Sequence, residues 1–164
     1  MPASPATQLA SFLAAFPPPM VAQIKAARAK LRKIVPYAHE LVYNYSHSFV
    51  LSYGPSDHPW EAVFTLACKT DGISLYFLGG PKLPDPEKLL QGSGKQVRFI
   101  PLPGTATFNQ PAVKALISVA LKQAPVPFDP NQRPQIIIKT LPPSQRPQRA
   151  AAVSGKSKIK NRKS

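Results

Sequence analysis

Residues 62–78 read AVFTLACKTDGISLYFL, two β-rich runs either side of Asp71-Gly72. A two-residue hairpin turn needs positive φ, which Asp and Gly tolerate. The stretch is therefore expected to form an antiparallel hairpin, with strands over 62–69 and 73–78. Upstream, 41–45 is short and aromatic, and 48–53 is β-rich and stops at Gly54-Pro55. Downstream, Gly79-Gly80-Pro81 breaks the hairpin, and a turn at Gly92-Ser93-Gly94 leads into a fifth strand over 96–102.

Helical patterns flank these strands. Thr7 is expected to cap a short helix running through Phe16, and Pro17, Pro18 and Pro19 form a rigid link. A second helix is expected over 19–35, with Val21, Ile24, Leu31, Ile34 and Val35 at helical spacing. Pro36 ends it, because proline cannot continue the backbone ladder. Asp85 and Pro86 look like the cap and first position of a short helix over 85–90. Asn109 looks like the cap of a last helix with Val113, Leu116, Ile117, Ala120 and Leu121 inside. The expected order is ααββββαβα. This is an α+β fold with an antiparallel sheet of about four to five strands.

Charge divides the 164 residues unevenly. Residues 1–132 hold 12 basic and 7 acidic residues, a net of +5. Residues 133–164 hold nine basic residues and no acidic one, a net of +9. The 21 prolines are more than twice the usual share. The folded domain is expected at 8–124, and 125–164 as a Pro-rich linker and basic tail too poor in apolar residues to order itself. The exception is 135–141, where Ile136, Ile137 and Ile138 suit a strand added to a sheet edge. No run of apolar residues is long enough to span a bilayer. One cysteine, Cys68, makes neither an intrachain disulfide nor a thiolate-rich zinc site. The apolar stretch 9–16 lacks a preceding basic region, so it is not expected to be a secretory signal. A cytoplasmic protein is expected, with no membrane contact.

Two blocks carry a family resemblance. Ile73-Ser74-Leu75-Tyr76-Phe77 resembles the recurring strand of the YdhG-like domain, a bacterial domain family of unknown function. Leu89-Leu90-Gln91-Gly92-Ser93-Gly94-Lys95-Gln96-Val97-Arg98-Phe99-Ile100 is similar to the block that follows it there. The resemblance covers roughly residues 8–124. It implies a compact frataxin-like fold, and for one branch of the family an intracellular iron chaperone. Iron delivery of that type uses a ridge of carboxylates, since hard iron ions favour oxygen ligands. Here the seven acids are scattered and the basic helix repels cations. His39-Glu40 and Asp57-His58 with Glu61 are the nearest ligand groups.

Other chemistries leave weaker marks. Gly92-Ser93-Gly94-Lys95 is not a Walker motif, because position 89 is Leu89 and Gln96 follows the lysine. It can still cradle an anion on its backbone N–H groups, with Lys95 and Arg98 adding charge; a plain tight turn is the competing reading. Tyr43 and Tyr45 share one strand face, and Trp60 follows Pro59 in a turn and is expected to be partly exposed. No Gly-x-Ser-x-Gly or His-Glu-x-x-His motif occurs, and Cys68 lies in an apolar strand. No catalytic residue, metal or cofactor is assigned. The expected function is a non-enzymatic module binding a small ligand or a protein partner. Its site is expected at Gly92, Ser93, Gly94, Lys95, Arg98, Tyr45 and Trp60. The alternatives are non-specific nucleic-acid association through Lys156, Lys158, Lys160, Arg162 and Lys163, and intracellular iron binding.

Overall fold

The 62–78 stretch folds into the expected hairpin, with its turn one residue earlier. Lys69 faces Gly72 across the pair, so Thr70 and Asp71 form the loop. Gly72 alone carries the positive φ, at 150°. The computed structural model describes residues 3–46 and 48–140. It contains helices α1 (Pro5–Leu13), α2 (Pro18–Ile34) and α3 (Pro111–Lys122). Its strands are β1 (His39–Asn44), β2 (Phe49–Gly54), β3 (Phe64–Lys69), β4 (Gly72–Phe77), β5 (Arg98–Pro101) and β6 (Ile136–Ile138). The fold is α+β. One six-stranded sheet has the order β5-β4-β3-β2-β1-β6.

β1 to β5 pair antiparallel in sequence. The sixth strand makes the sheet mixed, because β6 runs parallel to β1, with Ile136 beside Glu40 and Ile138 beside Val42. Backbone bonds from Glu40 N to Gln135 O and from Lys139 N to Val42 O, each 2.8 Å, close that edge. The expected four to five antiparallel strands are thus joined by a sixth, parallel one, formed within the 135–141 stretch that suits a strand added to a sheet edge.

Alternation assigns the two sheet faces. Phe64, Leu66 and Cys68 on β3 and Ile73, Leu75 and Phe77 on β4 are buried. They join one core with Leu9 and Leu13 of α1, Ile24, Ala27 and Leu31 of α2, and Val113, Leu116 and Ile117 of α3. Thr65, Ala67, Ser74 and Tyr76 lie on the opposite face and are half-buried. Phe12 and Phe16 meet the Phe49 ring edge-on, at centroid distances of 6.4 and 6.3 Å, and seat α1 on β2. Among the described residues no helix is long and apolar enough to cross a membrane.

Three local expectations are corrected. The cap of α1 is Ser4, whose Oγ accepts from Thr7 N at 3.2 Å, so Thr7 sits inside the first turn. Asn109 ends a 3-10 turn, Thr105–Asn109, and Gln110 precedes α3 without a side-chain cap. Residues 85–90 are not a helix. The Asp85 carboxylate accepts from Leu89 N and Leu90 N, both at 2.8 Å, and Lys88 takes φ 58°. A side chain that satisfies backbone N–H groups this way competes with the helical ladder.

α2 is tied to the sheet by a buried polar cluster. Glu40 is only 3% exposed. Arg28 donates to it twice, Nε to Oε2 at 2.9 Å and Nη2 to Oε1 at 2.8 Å. The fully buried Tyr53 hydroxyl donates to Oε2 at 2.7 Å. Burial alone lowers the pKa of Arg28, but the bond to and charge of Glu40 outweigh it, and the net shift is upward. Burial, then the Glu40 charge and hydrogen bond, push Tyr53 well above the ordinary phenol range.

Candidate functional site

Where the chain leaves β2, Gly54 packs against Ala62; a Cβ at Gly54 would lie 3.0 Å from Ala62 Cα. That close approach leaves 55–61 as an outward loop holding a 3-10 turn, Pro59–Glu61. Ser56 braces it, donating Oγ to Glu61 Oε1 at 2.6 Å and accepting from His58 N at 3.0 Å. The brace presents Trp60 at 70% exposure, with the His58 ring stacked on it at 4.6 Å. Opposite lie a second 3-10 turn, Gly80–Lys82, and the loop between Gln91 and β5. Gln91 pairs with Phe99 through N–H to O bonds of 2.8 and 3.1 Å, so 92–98 is a pinched-off loop. The start of that loop needs glycine, since Gly92 has φ 103°.

These loops and the C-terminal end of α3 enclose a cleft of about 590 Å³. Trp60, Val63, Leu78 and Leu83 give it an apolar wall. Lys82, Lys95, Gln96 and Gln123 supply the polar groups, and among the described residues no carboxylate lines it. The volume falls in the range of small-molecule sites, which combine apolar walls with a few placed polar groups. Such a lining suits a ligand with a flat apolar body and a negative charge.

The structure divides the residues singled out in the sequence. Trp60 and Lys95 meet in the cleft. Arg98 does not line it; its Nη1 donates to Gly94 O and to Val97 O, the latter at 3.1 Å, and so ties down the turn. Gly92, Ser93 and Gly94 are exposed and shape that turn. Tyr45 lies at the opposite end of the β1–β2 pair, stacked on Tyr43 with centroids 6.0 Å apart. Lys156, Lys158, Lys160, Arg162 and Lys163 lie outside the described residues, as does His47. No family model, curated protein or solved structure matches this chain.

Sequence reasoning missed Lys82, Gln96 and Gln123. Each is an ordinary polar residue at a turn or helix end, and only the fold brings them together. The metal-ligand groups do not assemble. Glu40 is held by Arg28 and Tyr53, while His39 Nδ1 accepts from Gln135 N at 3.0 Å. His58 Nδ1 lies 3.8 Å from Asp57 Oδ1, and Glu61 is engaged by Ser56. Among the described residues no three His, Cys, Asp or Glu side chains gather into a group that can hold a metal ion. Burial pushes the Cys68 thiol up to about 12, far from the thiolate a nucleophile needs.

Proposed function

We propose that this chain is a non-enzymatic binding module that holds a small anionic ligand in the Trp60 cleft. One observation carries the reading: an apolar cleft of ligand size whose only charged lining residues, among those described, are Lys82 and Lys95. The ligand's flat body lies against the indole, and its anionic group meets the two ammonium groups. Gln96 and Gln123 complete the polar contacts. The proposal includes kinship with the YdhG-like domains, on the blocks at 73–77 and 89–100, and a cytoplasmic setting in keeping with one buried thiol.

Trp60 is the only tryptophan, so indole fluorescence reports on the cleft directly. Titration with adenosine monophosphate, flavin mononucleotide and pyridoxal phosphate, each beside its uncharged parent, is the test. A saturable change for a phosphorylated compound is expected, at a micromolar Kd, about −8 kcal/mol. Lys95→Ala should weaken it at least about tenfold, the value of one charge-assisted hydrogen bond of about 1.5 kcal/mol. Equal responses to charged and uncharged members, or none, refute the reading.

A further inference from the structure

β6 is fastened at both ends by side-chain bonds that the sheet ladder does not supply. Before it, Gln135 N donates to His39 Nδ1 at 3.0 Å. After it, Lys139 Nζ donates to the backbone oxygen of Asp57 at 3.0 Å. Both contacts bear on the 55–61 loop that presents Trp60. His39 stands opposite Gly54 across the β1–β2 pair, and Gly54 is the last residue before that loop. Asp57 lies within the loop, between Ser56, which braces it, and His58, which stacks on Trp60.

The first contact fixes a protonation state. A backbone N–H only donates, so His39 Nδ1 is an acceptor and the ring proton sits on Nε2. An imidazolium carries N–H groups at both positions and accepts at neither. An imidazole takes up that second proton between about pH 5 and 8. The charged groups on the neighbouring elements have other partners. Glu40, next on β1, is held by Arg28 and Tyr53. In the 55–61 loop the Asp57 carboxylate lies 3.8 Å from His58, and Glu61 accepts from Ser56. On the segment leading to β6, Asp129 accepts from Asn131 N, and Arg133 precedes Gln135 by two positions. Among the described residues none of these groups forms an ion pair with His39. Protonation therefore removes the Gln135 bond and sets two N–H groups against each other. The bond is present at the upper end of the titration range and is lost as pH falls.

We propose that β6 is a pH-sensitive latch on the Trp60 loop. With His39 neutral, β6 stays on β1 and Lys139 pins Asp57. With His39 protonated, β6 frays from its start and the pin loosens. The latch regulates the Trp60 cleft, and it rests on the binding-module reading only for the loop's role as a ligand wall.

The test uses the unliganded full chain, so its failure is distinct from a failure to bind any ligand. Amide hydrogen exchange by NMR follows Glu40 N–H and Lys139 N–H, which bond to Gln135 O and Val42 O. Between about pH 7.5 and about pH 5.5 their protection, corrected for intrinsic exchange, should fall at least about fivefold, the value of one hydrogen bond of about 1 kcal/mol. Protection in the β3–β4 ladder should hold steady. His39→Asn offers an amide oxygen as acceptor and does not titrate, so its protection should stay level with pH. Lys139→Met removes the pin and should lower the emission anisotropy of Trp60 at the higher pH, whereas Lys139→Arg should keep it at the wild-type value. Holding that comparison at one pH keeps His58 from altering the indole signal. The proposal is overturned if wild-type protection at Glu40 and Lys139 does not change with pH, or if His39→Asn loses it as wild type does. It is also overturned if Lys139→Met leaves the Trp60 anisotropy unchanged.

Discussion

Replacing Arg28 with methionine isolates the strongest link between α2 and the sheet. The change keeps the aliphatic stem and removes both hydrogen bonds to Glu40. It leaves a carboxylate whose side chain is 4% exposed with only the Tyr53 hydroxyl as a close partner. Breaking a buried ion pair from one side costs about 3–5 kcal/mol. Arg32 lowers that figure, because its Nη1 already lies 4.0 Å from Glu40 Oε1 and is half-exposed, free to swing inward. The expected loss is about 3 kcal/mol, a fall in Tm of roughly 6–12 °C for a chain of this size. Glu40→Gln leaves the charge on Arg28 instead, whose side chain is 20% exposed and reaches water. It should cost less, about 2 kcal/mol, close to one hydrogen bond to a charged group. Replacing both residues by methionine should cost less than the two single changes together, since no charge is stranded. Urea unfolding followed by far-UV circular dichroism measures all three. The reasoning fails if Arg28→Met stays within about 1 kcal/mol of wild type, a typical neutral hydrogen bond. It fails equally if Glu40→Gln proves the more damaging change.

Three further changes test other parts of the fold. The Cys68 thiol ionises near 9 in the unfolded chain and at about 12 in the folded one. Stability from this shift is full below pH 9 and falls between pH 9 and 12, by about 1.4 kcal/mol per pH unit. Cys68→Ala should therefore lose less stability than wild type over that range, and equal pH slopes in denaturant titrations would count against the assignment. Gly80→Ala builds a Cβ 2.5 Å from Arg98 Cβ and 2.6 Å from its backbone N, so one of the two loops must move. A loss of about 1–3 kcal/mol in urea unfolding is expected, together with a changed Trp60 emission spectrum; an unchanged midpoint would show that the loops yield freely. Asp85→Ala orphans the N–H groups of Leu89 and Leu90 and should cost about 1–2 kcal/mol by thermal melt, whereas Asp85→Asn, which keeps an acceptor, should retain about half.

The parts of the fold legible in the sequence are those set by neighbours a few positions apart. The 62–78 hairpin, the span of α2 between prolines and the apolar spacing of α3 all follow from local pattern. Residues 136–138 were recognisable as strand-forming, but nothing local specifies that they lie parallel to β1. The short helix at 85–90 failed because Asp85 spends both carboxylate oxygens on Leu89 and Leu90 rather than on a helical first turn. Asn109 failed similarly, being taken into the 3-10 turn before α3. In the cleft, Trp60 and Lys95 stood out separately, as an exposed aromatic and a cation beside glycines. That they share one cavity with Lys82 and Gln123 depends on loops from four parts of the chain. Glu40 shows the same limit from the other side: a carboxylate next to a histidine looks like a ligand pair, yet strand alternation sends the two side chains to opposite faces.

The late arrival of β6 has a consequence for synthesis. His39 and Gln135 are bonded although 96 positions apart. At about 5–20 residues per second, a ribosome needs roughly 5–20 seconds to make the intervening chain. For that interval β1 is an outermost strand with unsatisfied backbone groups, the kind of edge that recruits a neighbouring nascent chain. The aggregation hazard of this protein therefore lasts at least until residues 136–138 have been made, and whatever slows translation between residues 44 and 136 prolongs it.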